Sequence, residues 1–232
     1  TTYISGNAVR TCAEDIREQI RRVAAEILEE PAENLVHEKS SFRASGGDAA
    51  SYEDVAYRSL YGENQHQIQA GASHVADVSP PPFLAQFAEV EVDLDTGEVT
   101  IPAFVSAVDC GTPLNPALAE GQIEGAALNG IAFALTEEFR FSSSGRMTNA
   151  TFGRYGMWNT VDQPPMTTIL VETHDATGPF GAKSVGEIGI NGPAPAIANA
   201  IYDAVGVRLR DLPMTPERVW RALNEKNAEE TS

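Results

Sequence analysis

One carboxylate set in a run of glycines is the side chain of this sequence with the clearest chemical potential. Residues 178–192 read Gly-Pro-Phe-Gly-Ala-Lys-Ser-Val-Gly-Glu-Ile-Gly-Ile-Asn-Gly, with Glu187 between Gly186 and Ile188. Glycine at this density marks backbone that takes positive φ or lets another group come close. Neither a helix nor a strand tolerates so many, so the stretch reads as a loop, apolar apart from Lys183, Ser184, Glu187 and Asn191. A carboxylate held there loses hydration and binds a proton more tightly, the property a general base needs. The other reading is an exposed turn with Glu187 in water, and the residues alone leave both open. Histidine and cysteine offer less. His37, His66, His74 and His174 are scattered, without H-x-x-x-H spacing, and each reads as a surface or structural residue. Cys12 and Cys110 form no C-x-x-C pair. An iron–sulfur cluster takes four thiolates, so this chain is not expected to hold one alone.

Composition narrows the classes of partner. The formal net charge of −17 argues against nucleic acid and anionic membrane, both of which need clustered Lys and Arg. No run of about 18 apolar residues is present, and the first residues lack the charged-then-apolar pattern of a signal peptide. Two unpaired thiols fit a reducing compartment, so a cytoplasmic location is expected. The 232 residues suffice for one large domain or two small ones.

The elements that must position Glu187 follow from periodicity. Asn7–Glu30 reads as an amphipathic helix with Val9, Ala13, Ile16, Ile20, Val23 and Ile27 on one stripe, ended by Pro31. Leu35-Val36-His37 reads as a short strand and Ser45–Asp48 as a turn; Ser51 and Asp54 cap a helix through Leu60. Tyr61–Pro82 is a polar excursion without periodicity, read as a subunit contact or channel wall. Phe87–Leu94 alternates as a half-buried strand, turns at Asp95–Glu98 and returns over Val99–Val108, where Pro102 implies an edge or a bulge. Asn115 and Pro116 start a helix to about Glu138 that Gly121, Gly125 and Gly130 interrupt, which implies close approach by backbone or by a ligand. Phe141–Arg146 reads as a turn. Thr167–Thr173 reads as a strand leading into the glycine loop. Helices begin at Pro193, ending at Gly206, and at Pro216, where Val219, Trp220 and Leu223 pack. Asn224–Ser232 reads as a frayed polar tail. The fold class is α+β, mixed sheets with packed helices. The expected grouping sets residues 1–80 with 115–232 around the glycine loop, and 81–114 apart as a hairpin.

Several of these segments together resemble one family. Gly178-Pro-Phe-Gly-Ala-Lys-Ser-Val-Gly-Glu187 is similar to the signature loop of the molybdenum hydroxylases, the xanthine dehydrogenase and aldehyde oxidase family, in the C-terminal portion of the molybdopterin-binding subunit. Asp109-Cys-Gly-Thr-Pro-Leu-Asn-Pro116 and Glu120-Gly-Gln-Ile-Glu-Gly125 resemble the segment ahead of that family's cofactor-contacting helix. Pro195–Gly206 and Leu212–Glu217 resemble its C-terminal helices, and Thr1–Val9 an earlier one. The likeness is weakest between about residues 31 and 80.

The resemblance carries implications that the residues alone do not. It makes Glu187 the general base, taking the proton of a hydroxo ligand on molybdenum whose oxygen attacks an electron-poor carbon. It puts Gln122 close to the cofactor and makes Lys183, Ser184, Val185 and Gly186 the loop wall around the metal, where backbone groups make the contacts. It puts Thr1 where a small residue lies beside the cofactor. The metal is expected to be held by the dithiolene sulfurs of molybdopterin, not by side chains, so no metal ligand is expected from this chain. The family's other cofactor motifs, a Gly-Gln-Gly-type loop and a Gly-Gly-x-Phe-Gly-type segment, have no counterpart here. The expectation is therefore a small subunit of a split molybdopterin-binding protein. It would share the cofactor with a larger molybdopterin-binding subunit and work with an iron–sulfur subunit carrying 2Fe-2S clusters and an FAD subunit. The wording Ala107–Gly111 and Gly125–Gly130 is closer to xanthine dehydrogenase-like chains, which implies hydroxylation of an N-heteroaromatic, purine-like substrate with water as oxygen source. An aldehyde oxidoreductase subunit and a non-catalytic structural subunit are the alternatives.

Overall fold

The computed structural model describes residues 1–65 and 67–230; His66 and the end of the expected tail, Thr231 and Ser232, lie outside the described residues. The chain divides into two compact units, Thr1–Val78 and Ser79–Ser232.

The first unit is built on helix α1, Thr2–Leu28, which ends two residues short of Pro31 with Glu29 in the left-handed region. The apolar stripe read from the sequence is buried only in its C-terminal half. Val23 and Ala24 pack with Leu35, Phe42, Ala50 and Val55, whereas Val9 is 67% exposed and Ala13 is exposed. The covering layer explains this. It is a small antiparallel sheet, β1 (Val36–Glu38), β2 (Ser41–Arg43) and β3 (Ala49–Ser51), followed by helix α2 (Tyr52–Tyr61), and its core meets only that half of α1. The buried residues of the N-terminal half are Tyr3 and Asn7, beside His74. Strands β2 and β3 carry too few residues for alternation to show in the sequence. The start of α2 was legible: Ser51 accepts from the Asp54 amide at 3.1 Å while Asp54 accepts from the Ser51 amide at 2.9 Å, a reciprocal capping box. Between α2 and residue 83 no regular element occurs among the described residues.

The second unit contains the glycine loop. Its mixed sheet pairs β4 (Phe83–Val92) antiparallel to β5 (Val99–Asp109), and β5 parallel to β6 (Met166–Leu170). Ile101 and Pro102 together oppose Val90, so the expected irregularity at Pro102 is a bulge in β5. The tip between β4 and β5 turns on Asp93, which accepts from the Asp95 and Thr96 amides, and on Gly97 at φ +76 against the backbone of Pro216 and Trp220. Only a residue without a Cβ fits there. Leu94, expected on the buried face, lies beyond the strand and is exposed.

One face of this sheet is covered by α3 (Pro116–Leu135) and α5 (Pro193–Val205). Phe104, Ile131, Ile197 and Ile201 form the centre of the core with Val219 and Leu223 of α6 (Pro216–Glu230). A single turn, α4 (Phe152–Tyr155), lies between α3 and β6. The hairpin therefore packs with residues 115–230 rather than standing apart, because β4 lies directly against α5. Trp220, expected to pack, is 44% exposed. The expected frayed tail is helical through Glu230: the Lys226 ammonium donates to the Val205 carbonyl at 3.1 Å and ties α6 to the C-terminus of α5. The fold is thus α+β with mixed sheets and packed helices.

Replacing Ser51 by Ala removes one half of the capping box. It is expected to destabilise the first unit by about 1 kcal/mol, read as a lower denaturation midpoint for α2. An unchanged midpoint would show that the box does not hold the helix start.

Candidate functional site

The glycine loop lies along the segment that follows β5. Gly111 and Ala182 form an antiparallel bridge, the Thr112 amide donates to the Gly181 carbonyl at 2.8 Å, and the Lys183 amide donates to the Cys110 carbonyl at 2.7 Å. Entry to the loop is fixed by Asp175, whose carboxylate accepts from the Thr177 amide at 2.9 Å and the Gly178 amide at 3.1 Å. The Thr177 bonds, hydroxyl first, hold that carboxyl below its ordinary range. Gly181 has φ +88, with His174 and Thr112 where a Cβ would stand. Phe180 before it is also left-handed, at φ 52, and projects into solvent.

Lys183 leaves this rail inward and is only 7% exposed. Its ammonium pairs with the Asp109 carboxylate at 2.8 Å, donates to the Pro81 carbonyl at 3.1 Å and lies 5.3 Å from the centre of the Phe83 ring. The Thr173 hydroxyl at 2.7 Å and the Gly111 amide at 2.9 Å also donate to Asp109. Burial by itself pushes the Asp109 carboxyl up; the hydrogen bonds from Lys183, Thr173 and Gly111, with the lysine charge, hold it below the usual 3.8. Burial pushes the neighbouring Cys110 thiol up, away from thiolate chemistry.

Beyond Lys183 the loop is seated by apolar contacts. Val185 and Ile188 pack against Val108, Cys110 and Ile123, together with Leu84 and Leu170. Gly189 lies against the Ile123 carbonyl, where a Cβ would come within 2.9 Å. The loop end is held by Gln86, which donates to the Gly189 carbonyl at 3.0 Å and to the Ser106 hydroxyl at 2.8 Å. This seating brings the loop over the turn of α3 that carries Gln122, the neighbour of fully buried Ile123. Gln122, Ser184, Gly186 and Glu187 are all exposed, and Val185 is half-buried. The amides of Ser184, Val185, Gly186 and Glu187 donate to no group among the described residues.

Of the two readings open for Glu187, a desolvated carboxylate or an exposed turn, this chain shows the exposed one, at the start of the Ile188–Ile190 turn. The apolar residues that flank it point inward into the small core, so they desolvate one another and not the carboxylate. Lys183, whose backbone the resemblance puts in the wall around the metal, turns its side chain into the sheet and pairs it with Asp109. Thr1 belongs to the other unit and is exposed at the N-cap of α1. His37 and His174 are exposed, and His74 is half-buried against Tyr3. Asp109 and Gln86 had drawn no individual attention. Carrying the β4 alternation back from Ala88 puts Gln86 and Leu84 on the inner face, a signal that was available.

The glycines of α3 separate by cause. Gly130 abuts Pro193 and the Ile190 carbonyl, so helix packing requires it. Gly121, Gly125 and, on the loop, Gly186 have nothing within 4 Å of a built Cβ, and none has positive φ. An exposed helical glycine costs about 1 kcal/mol relative to alanine, and nothing among the described residues accounts for Gly121 and Gly125.

The protein belongs to the molybdopterin cofactor-binding domain family, whose model matches residues 1–164, and so to the domains of the xanthine dehydrogenase-type molybdenum oxidoreductases. Among its relatives is the "Probable hypoxanthine oxidase XdhD" of Escherichia coli K12, 39% identical over 226 residues, covering 97% of this chain and 24% of that protein. Two solved structures superpose with a TM-score of 0.78 at 27% identity: the Cu,Mo-CO dehydrogenase in its carbon monoxide reduced state, covering 94% of this chain and 28% of that one, and quinoline 2-oxidoreductase from Pseudomonas putida 86, covering 92% and 28%. The chain thus spans about a quarter of the length of the curated relatives it matches. No helix among the described residues is long and apolar enough to cross a membrane.

The Asp109 carboxyl has a folded value below its unfolded one, so its contribution to stability is complete above the ordinary aspartate range and is lost as pH falls through the folded value. The stability difference between the wild type and Asp109→Asn is expected to hold constant from neutral pH down to the ordinary value of 3.8 and to shrink only below it. Denaturant titrations at a series of pH values measure the difference. A gap already closing near about pH 6 would contradict the assignment.

Proposed function

We propose that this chain forms the base-bearing part of the molybdopterin site of a molybdenum hydroxylase. The observation that carries the reading is the surface formed by Gly121, Gln122, Gly125 and the loop Ser184–Glu187. It combines glycines with no internal reason, four amides without an acceptor and one carboxylate. Such a surface fits a large polar group approaching backbone closely. Gln122 and the backbone of Lys183, Ser184, Val185 and Gly186 would contact the cofactor. When bound, molybdopterin supplies a metal that delivers oxygen derived from water and takes up two electrons.

Glu187 is the residue of this chain that moves a proton. It accepts the proton released as the oxygen nucleophile forms. Its position beyond the seated Val185 and before the Ile188 turn holds the carboxylate on the outer side of the loop. The enclosure that desolvates it comes from the cofactor and from polypeptide outside this chain. The partners in this reading are a larger molybdopterin-binding polypeptide, an iron–sulfur subunit with 2Fe-2S clusters and an FAD subunit. The substrate in this reading is an N-heteroaromatic compound. A hypoxanthine oxidase and a quinoline oxidoreductase among the relatives favour it; an aldehyde is the alternative.

In the complex, Glu187→Gln is expected to lower kcat by at least about 10²–10⁴-fold at normal molybdenum content, the typical loss on removing a general base. Turnover within a few-fold of wild type would favour a non-catalytic role. Assays of the same complex with hypoxanthine, xanthine, nicotinate and a simple aldehyde, using an artificial electron acceptor, are expected to show turnover of a heteroaromatic compound. Oxidation of the aldehyde alone would reverse the substrate assignment.

A further inference from the structure

We propose that the Asp109–Lys183 ion pair is a positioning device that fixes the glycine loop, and with it Glu187, relative to the sheet. This rests on the reading of Glu187 as the base. Lys183 is four residues from Glu187, and its ammonium is bound at two points: Asp109, the last residue of β5, and the Pro81 carbonyl ahead of β4. Asp109 is held in turn by Thr173, three residues beyond β6, and by the Gly111 amide. The pair therefore references the loop to all three strands of the sheet at once. Both side chains are nearly out of solvent, 8% exposed for Lys183 and 14% for Asp109.

Stability alone does not account for this arrangement. Removing two charges from water costs about as much as their attraction returns, and an apolar pair of like volume often serves as well. An apolar pair gives no direction, whereas a lysine with two fixed acceptors, one of them held by two further donors, permits a single geometry. Between Lys183 and Glu187 the other anchor is Val185, packed on Ile123, and Ile188 follows on the same core. Apolar packing of that kind tolerates sliding; the ion pair sets the register. The carboxylate of a base has to be placed to within about 1 Å, since a displacement of that size can lower the rate roughly 10²-fold.

The test uses the molybdenum-loaded complex with Lys183→Met, the milder Thr173→Val, Glu187→Gln, and Arg221→Met as a control in an exposed pair of α6. Amide hydrogen exchange is followed in peptides covering 109–114 and 180–188, with α5 as reference. In Lys183→Met, exchange at the Thr112 and Lys183 amides is expected to rise about ten- to a hundredfold, as for loss of one charge-assisted bond. kcat is expected to fall roughly 10²-fold while KM and molybdenum content hold. Thr173→Val is expected to move both readouts the same way by less, and Arg221→Met neither. If Lys183→Met unfolds the unit, exposing α5 and losing molybdenum, Thr173→Val decides: wild-type exchange and kcat there overturn the proposal. Accelerated exchange in Lys183→Met beside full turnover in Glu187→Gln sinks the base assignment and leaves the positioning of the loop standing. Wild-type exchange and kcat in Lys183→Met, beside an inactive Glu187→Gln, overturn the positioning role alone.

Discussion

A buried charge constrains everything around it, and here the charge is the Asp109 carboxylate. It lies where β5 gives way to the segment that carries the glycine loop, and it takes hydrogen bonds from a lysine, a threonine and a backbone amide. A carboxylate so placed is tolerated only with its acceptor capacity largely used. That requirement explains the order of nearby residues. Lys183 turns inward, and of the residues after it Ser184, Gly186 and Glu187 are exposed while Val185 packs on Ile123. Cys110 and Gly111 have to lie flat enough for the loop to bond along them. The Lys183 side chain is thus an internal partner of Asp109 and not part of the exposed loop surface.

Glycine in this chain has three physical causes, and separating them is more informative than counting them. At Gly97 and Gly181 the backbone is left-handed and crowded. At Gly130, Gly189 and Gly192 a Cβ would strike Pro193, the Ile123 carbonyl or Gln86, so the requirement is close packing. At Gly121, Gly125 and Gly186 neither cause operates, as is also true of Gly46, Gly71 and Gly153 in loops and a short turn elsewhere. The first three border Gln122 and Glu187. A helix face that gives up propensity without using the room fits the proposed cofactor, whose approach would be closer than a methyl group allows.

Most of the second unit was legible in the sequence. Alternation marked β4 and β5, Pro102 marked the bulge, Asn115 and Pro116 marked the start of α3, and the glycines marked the loop. Each of these is a local signal, carried by residues within one or two turns. The first unit was legible at the Ser51–Asp54 cap and hidden in β2 and β3, which are three residues each and too short for a period to show. The site was legible as a segment and not as a set of side-chain directions. Whether Lys183 points toward the loop surface or into the sheet depends on Asp109, 74 residues away. A pairing at that separation leaves no pattern in either stretch alone.

The exposure of Glu187 fits the same logic. A carboxylate in water is a poor base for drawing a proton from a weak acid, and burying it within a single chain would require partners that neutralise it. This chain anchors the loop through Lys183, Val185 and Ile188 and leaves the carboxylate at the surface. The outer face of its sheet is likewise apolar, with Phe83 and Phe87 on β4, Ile169 on β6 and Val171 just beyond it exposed together. Exposed apolar area of this kind fits the proposed reading in which further polypeptide covers this face. The division of labour that results is a physical one. In the proposed reading, position is set within the chain, by the Asp109–Lys183 pair and the Ile123 seat, whereas the low-dielectric surroundings that would turn the placed carboxylate into an effective base are set by what closes over it.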